Sequence, residues 1–141
     1  MSKGLYTANA TAQGGREGKV TTNDGKLNLR LNMPKELQGS GGPGTNPEQL
    51  FACGYAACYH SALQLVAGKQ KMDISDSSVT ADVTIHKDTD NGGFKLSVVL
   101  AVAIPGQDQA TVQKLADEAH QVCPYSKATR GNIDVEISVQ Q

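Results

Sequence analysis

The chain has 141 residues and a formal net charge of −1, with its basic residues scattered, so neither a nucleic-acid nor a membrane-binding surface is marked. Its length suits one domain, residues 1–141, large enough for a core yet small enough to gain from dimerisation. The start, Met1-Ser2-Lys3-Gly4-Leu5-Tyr6, has no apolar run behind its lysine, and no stretch approaches the 18 or so consecutive apolar residues of a spanning helix; a soluble, cytoplasmic protein is expected.

Residues 5–13 alternate small and polar side chains, and Gly14-Gly15-Arg16-Glu17-Gly18 turns the chain toward Lys19–Thr22, which predicts a hairpin. Asn23-Asp24-Gly25 is a second tight turn. Leu27, Leu29, Leu31 and Met33 follow at period two, predicting a half-buried strand over 26–33 that Pro34 ends. Residues 39–44, Gly39-Ser40-Gly41-Gly42-Pro43-Gly44, satisfy the letters of the dinucleotide fingerprint G-x-G-x-x-G. The match fails on context, because that fingerprint needs a buried parallel strand directly before it, and Pro34-Lys35-Glu36-Leu37-Gln38 intervenes. No Gly-Lys-Ser/Thr follows, so a phosphate loop fails as well. A flexible entry loop is expected.

The stretch 45–68 is the centre of the chain. Asn46 can cap a helix, Pro47 suits its first position, Gln49 completes the spacing of a capping box, and Gly68 stands where a left-handed C′ residue is wanted. About 21 helical residues make a rod of roughly 30 Å. Leu50, Phe51, Tyr55, Leu63, Leu65 and Val66 spread apolar surface round much of it, more than a surface helix carries. Beyond it, Val79, Ala81, Val83 and Ile85 alternate, Asp90-Asn91-Gly92-Gly93 turns, and Phe94, Leu96, Val98, Leu100 and Val102 return. Residues 108–122 place Leu115, Ala116, Ala119 and Val122 at helical spacing behind Asp108 as cap, with Pro124 as the stop. Ile133, Val135, Ile137 and Val139 form a last strand. The order βββ-α-ββ-α-β predicts an α+β fold with antiparallel sheets around a long central helix.

Three cysteines, an odd number without an export signal, argue against a disulfide framework and for reduced thiols. Cys53 and Cys58 lie in the central helix about 140° and ~7.5 Å apart, so they cannot bridge each other there. Cys53 is expected to fill a small core site. Zinc is a rival reading, since Cys58-Tyr59-His60 and His120-Gln121-Val122-Cys123 offer two sulfurs and two imidazoles. Residues two apart on a helix diverge by about 200°, however, and no C-x₂-C signature is present. A hydrolase with His120 as base lacks a nucleophile elbow. Neither a metal nor a bound cofactor is expected.

Gly44-Thr45-Asn46-Pro47-Glu48-Gln49-Leu50-Phe51-Ala52, Gly54-Tyr55-Ala56-Ala57-Cys58-Tyr59-His60, and Val122-Cys123-Pro124-Tyr125-Ser126 with Ala128-Thr129-Arg130-Gly131-Asn132 resemble the organic hydroperoxide resistance (Ohr) branch of the Ohr/OsmC family. Leu5-Tyr6-Thr7-Ala8 and Gly14-Gly15-Arg16 extend the similarity over nearly the whole chain. Cys53, in place of an alanine, and Lys127, in place of an asparagine, depart from the pattern. The resemblance implies an OsmC-like fold, an intertwined homodimer and a thiol peroxidase. In it Cys58 would be the peroxidatic cysteine, Cys123 the resolving one, and Arg16 with Glu48 the pair that assists Cys58. It further implies organic hydroperoxides, fatty-acid ones included, as substrates, and a dihydrolipoyl group on a partner protein as reductant. An OsmC-branch peroxidase and a non-catalytic thiol redox sensor are the alternatives.

The chemistry agrees with those roles. A cysteine attacks a peroxide oxygen as thiolate, and with a free pKa of about 8.5 it needs a nearby cation. Arginine keeps its proton and offers a rigid fork of donors, which a carboxylate can hold by a bidentate pair. Read without the resemblance, Arg16 is a solvated turn residue and Glu48 a first-turn acid suited to the helix dipole. Glu48 lies ten residues before Cys58, ~15 Å along a continuous helix. Either the helix breaks near Gly54 or a second chain supplies part of the site, and antiparallel helices in a twofold dimer would do so. With no tryptophan and two phenylalanines, an apolar substrate pocket would draw on leucine, valine, methionine and tyrosine.

Overall fold

Glycines at tight turns set the first strands of the computed structural model, which describes residues 2–140 in two compact units, Met1–Leu50 and Phe51–Gln141. In the first unit, β1 (Ala10–Gln13), β2 (Lys19–Thr22) and β3 (Asn28–Arg30) form an antiparallel sheet in that order. Gly14, at φ 78°, and a 3-10 turn over Gly15–Glu17 join β1 to β2. A Cβ on Gly18 would collide with the Gln13 carbonyl, so this turn requires glycine there. The predicted strand over 5–13 begins only at Ala10, and Leu5 and Tyr6 are exposed. Likewise the strand expected over 26–33 pairs with β2 only over 28–30; Leu31 turns instead to a bridge with Thr45. Among the described residues of this unit, Leu31 is the one buried hydrophobic side chain.

The glycine-rich stretch is a loop held to the end of β3: Gly41 N–H donates to the Met33 carbonyl at 3.0 Å, and Gly44 N–H to Asn32 Oδ1 at 2.7 Å. The strand before it belongs to an antiparallel sheet, so the dinucleotide context is absent.

Helix α1 (Pro47–Lys69) runs unbroken through Gly54. Asn46 Oδ1 accepts from the Gln49 N–H at 2.8 Å, as a cap should, while Gln49 Oε1 accepts from Thr45 Oγ1 instead of returning to Asn46. The left-handed residue at its end is Lys71, φ 59°, and not Gly68. Met72 N–H donates to the Ala67 carbonyl and Lys71 N–H to that of Gly68, which is a Schellman motif displaced by three residues from the expected place. Tyr55, Tyr59, Ala62, Leu63, Val66 and Ala67 form its buried face. By length and composition α1 also meets the requirement for a bilayer-spanning helix, a test that the core helix of a soluble protein passes too.

In the second unit β4 (Ser78–Lys87) and β5 (Phe94–Ala103) form an antiparallel hairpin, and β6 (Val135–Gln140) joins β5 in parallel. The all-antiparallel expectation is corrected here. The chain between β5 and β6 crosses through helices, the kind of connection that parallel pairing needs. Helix α2 (Gln109–Val122) is capped by Asp108, whose Oδ1 accepts from Thr111 N–H at 2.8 Å. Pro124 stops α2 but also starts a further helix, α3 (Pro124–Thr129), which the sequence reading omitted. Proline at a first helical position loses no hydrogen bond, so it reads equally as stop and start. Tyr55, Tyr59 and Leu63 of α1, Leu100 and Val102 of β5, and Leu115 of α2 make the centre of this unit's core.

Candidate active site

Cys58 leaves α1 on the same side as Tyr55, three residues earlier, because positions i and i+3 share a helix face. Cys123 caps the start of α3 and is fully buried. The two sulfurs lie 3.6 Å apart, with the Cys123 thiol donating to Cys58. Burial pushes the half-buried Cys58 thiol up from its ordinary value, a backbone N–H bond from Tyr125 pulls it back, and Cys123 pushes it up again.

Cys53 is exposed, which corrects its expected place in the core. It precedes Tyr55 by two positions, about 200° round the helix, and so points away from the buried face. Lys127 lies exposed on α3.

Arg16, on the 3-10 turn, and Glu48, in the first turn of α1, form a bidentate pair: Nη1 donates to Oε1 at 2.7 Å and Nη2 to Oε2 at 2.9 Å. Those donated hydrogen bonds hold the Glu48 carboxyl below its ordinary range and raise Arg16. The adjacent Glu17 fixes the turn that carries Arg16: its carboxylate accepts from Met33 N–H at 2.7 Å, Asn32 Nδ2 at 3.1 Å and Ser40 Oγ at 2.9 Å.

Sequence reasoning missed a buried polar cluster beside the cysteines. Tyr55 Oη lies 2.9 Å from Ser126 Oγ and 3.0 Å from Thr129 Oγ1, and His120 Nδ1 lies 2.8 Å from the same Ser126 oxygen. Arg130 Nη1 donates to the His120 carbonyl at 2.6 Å. Burial, followed by the Arg130 charge, lowers the His120 pKa. His120 and Ser126 thus form the contact that a hydrolase would need, but Ser126 is fully buried and shared with Tyr55, which denies it to a substrate. His60 bonds Ser77 Oγ at 2.9 Å, so the two imidazoles of the zinc reading serve different serines. Tyr55 and Ser126 both sit inside the motifs quoted above, yet no spacing rule links residues 71 positions apart.

Beside Tyr125 opens a cavity of about 500 Å³ lined chiefly by Phe51, Leu96, Pro124, Tyr125, Ala128 and Ile133. Its wall is mainly apolar and includes Phe51 but neither valine nor methionine.

An α+β fold whose long helix presents one cysteine to a second, buried cysteine brings two free thiols into contact. The family model for OsmC-like protein matches residues 39–138. The chain is 52% identical over 137 residues to the organic hydroperoxide resistance protein of Xanthomonas axonopodis pv. citri, covering 97% of this chain and 96% of that one. Among solved structures, the organic hydroperoxide resistance protein of Elizabethkingia anophelis superposes with a TM-score of 0.92 at 48% identity, over 99% of each chain. OhrB of Bacillus subtilis superposes at 0.90 and 47% identity, over 97% of this chain and all of that one. The chain belongs to the Ohr/OsmC family.

Proposed function

We propose that the protein is a thiol peroxidase that reduces organic hydroperoxides to alcohols. The observation that carries this reading is the 3.6 Å separation between the Cys58 and Cys123 sulfurs. The Cys58 thiolate attacks a peroxide oxygen; the S–O bond forms as the O–O bond breaks, and the alkoxide leaves and takes a proton. Cys123 then attacks the Cys58 sulfenic acid, the S–S bond forms and the hydroxyl leaves as water, which ends the exposure of Cys58 to over-oxidation. An external dithiol of the dihydrolipoyl type, carried on a partner protein, returns two electrons and two protons and is itself oxidised to a disulfide.

Arg16, aligned by Glu48, is the cation that stabilises the thiolate and the departing alkoxide. Because α1 is unbroken, Glu48 stands ~15 Å along it from Cys58 of its own chain. The pair therefore serves Cys58 of a second subunit in a twofold dimer. The exposed apolar residues of α1, such as Leu65, and the thinly buried first sheet suit coverage by that subunit. The apolar cavity beside Tyr125 suits an alkyl tail, which gains roughly 0.8 kcal/mol per buried CH₂ where hydrogen peroxide gains none.

The test is peroxide consumption with cumene hydroperoxide and with hydrogen peroxide, each with dihydrolipoamide or thioredoxin as reductant. Turnover should be strongest with cumene hydroperoxide and dihydrolipoamide. Equal efficiency on hydrogen peroxide would argue against the organic-substrate reading, and no turnover with any pair against the enzyme.

A further inference from the structure

Two contacts join the same faces of α1 and α3. Tyr55 and Cys58 are three residues apart on α1; Ser126 and Cys123 are three residues apart at the start of α3. Tyr55 Oη meets Ser126 Oγ at 2.9 Å, and Cys58 Sγ meets Cys123 Sγ at 3.6 Å. A third contact adjoins them: a Cβ on Gly54 would come within 2.6 Å of Tyr125 Oη, so the glycine is what lets the Tyr125 ring lie on α1. Tyr125 also supplies the backbone N–H that faces the Cys58 sulfur.

The hydroxyl contact is the rigid one. Tyr55 and Ser126 are both fully buried, and Thr129 Oγ1 adds a second bond to Tyr55 at 3.0 Å. From the other side His120 holds Ser126, and Arg130 holds the His120 carbonyl. A disulfide has sulfurs about 2.05 Å apart, so closing the pair requires a shift of roughly 1.5 Å, and a freely sliding α3 would reach that geometry rarely.

We propose that Tyr55 is a positioning residue for the resolving step, its hydroxyl clamping Ser126 and Thr129 so that Cys123 stays within reach of oxidised Cys58. This rests on the peroxidase reading above. Tyr55 touches neither peroxide nor sulfur in this role; it acts through α3.

Tyr55→Phe is a fair test, because it keeps the ring in the core and leaves Ser126 with His120 and Thr129 Oγ1 with the Ser126 carbonyl. Stopped-flow mixing with cumene hydroperoxide, quenched with a sulfenic-acid trap and read by mass spectrometry, separates the first oxidation from disulfide formation. The expected result is a first step within twofold of wild type, disulfide formation slowed tenfold or more, and a larger sulfinic fraction on Cys58. Ser126→Ala should give the same split. An equilibrium readout accompanies it: against dithiothreitol, the effective concentration of the Cys58–Cys123 pair should fall about tenfold in Tyr55→Phe, equivalent to ~30 mV. Unchanged disulfide rate and unchanged effective concentration would overturn the positioning role alone. A wild-type protein that forms no Cys58–Cys123 disulfide would overturn the peroxidase reading and this inference with it.

Discussion

The three cysteines have three different surroundings, and their substitution should separate them. Cys58→Ser should abolish peroxidase activity, whereas Cys53→Ala, on the exposed side of α1, should leave at least half of it; steady-state turnover checks both. Cys123→Ser should still consume one equivalent of peroxide but leave Cys58 with added oxygen, visible by intact mass, because the neighbouring thiol is gone. Arg16 holds the Glu48 carboxyl below its ordinary value, so the pair's stabilisation is complete above the unfolded carboxyl pKa of about 4.3 and is lost as pH falls through the lower folded value. Part of the pair is solvent-exposed, and its worth is about 0.5–1 kcal/mol. Thermal melting between pH 6 and pH 3 should show a steeper loss for wild type than for Glu48→Gln; parallel slopes would contradict a pair that titrates as one.

Among the elements, the end of α1 gives the sharpest stability prediction. Gly68 has ordinary helical backbone, and a methyl group added to it would meet nothing within 4 Å, while Lys71 takes the left-handed conformation. Gly68→Ala should thus stabilise by about 0.5–1 kcal/mol, measured by urea unfolding. Were Gly68 the C′ residue, the same change would destabilise. Period-two and helical spacing made the β4–β5 hairpin, the central helix and α2 legible, because those patterns record which face is buried. Strand direction leaves no such record, and β6 alternates as an antiparallel strand would. Helix α3 was hidden because Pro124 suits a first position as well as a stop. That Cys58 and Cys123 stand together was legible only through the family resemblance; the partnership of Tyr55 and Ser126 was not, since it depends on how α3 docks against α1, a tertiary fact that no local pattern carries.

For the whole molecule, the proposed function calls for a cation beside Cys58. Burial pushes the Cys58 thiol up, and under the proposed function the cation that offsets this is a second subunit's Arg16, aligned by Glu48. Arg16→Ala should raise by a unit or more the pH at which Cys58 is half-alkylated by iodoacetamide, if that guanidinium is the main support of the thiolate. Mixing inactive Glu48→Ala and Cys58→Ser chains should return up to about a quarter of wild-type activity, since half of randomly mixed dimers carry one complete site. Mixed dimers without activity would place Glu48 in the service of its own chain. The central claim, that Cys58 and Cys123 form the redox pair, is tested most directly by one equivalent of cumene hydroperoxide followed by peptide mapping. The account predicts a single Cys58–Cys123 cross-link with the loss of two hydrogens and Cys53 untouched; a cross-link through Cys53, or sulfinic acid on Cys58 with Cys123 still free, would contradict it.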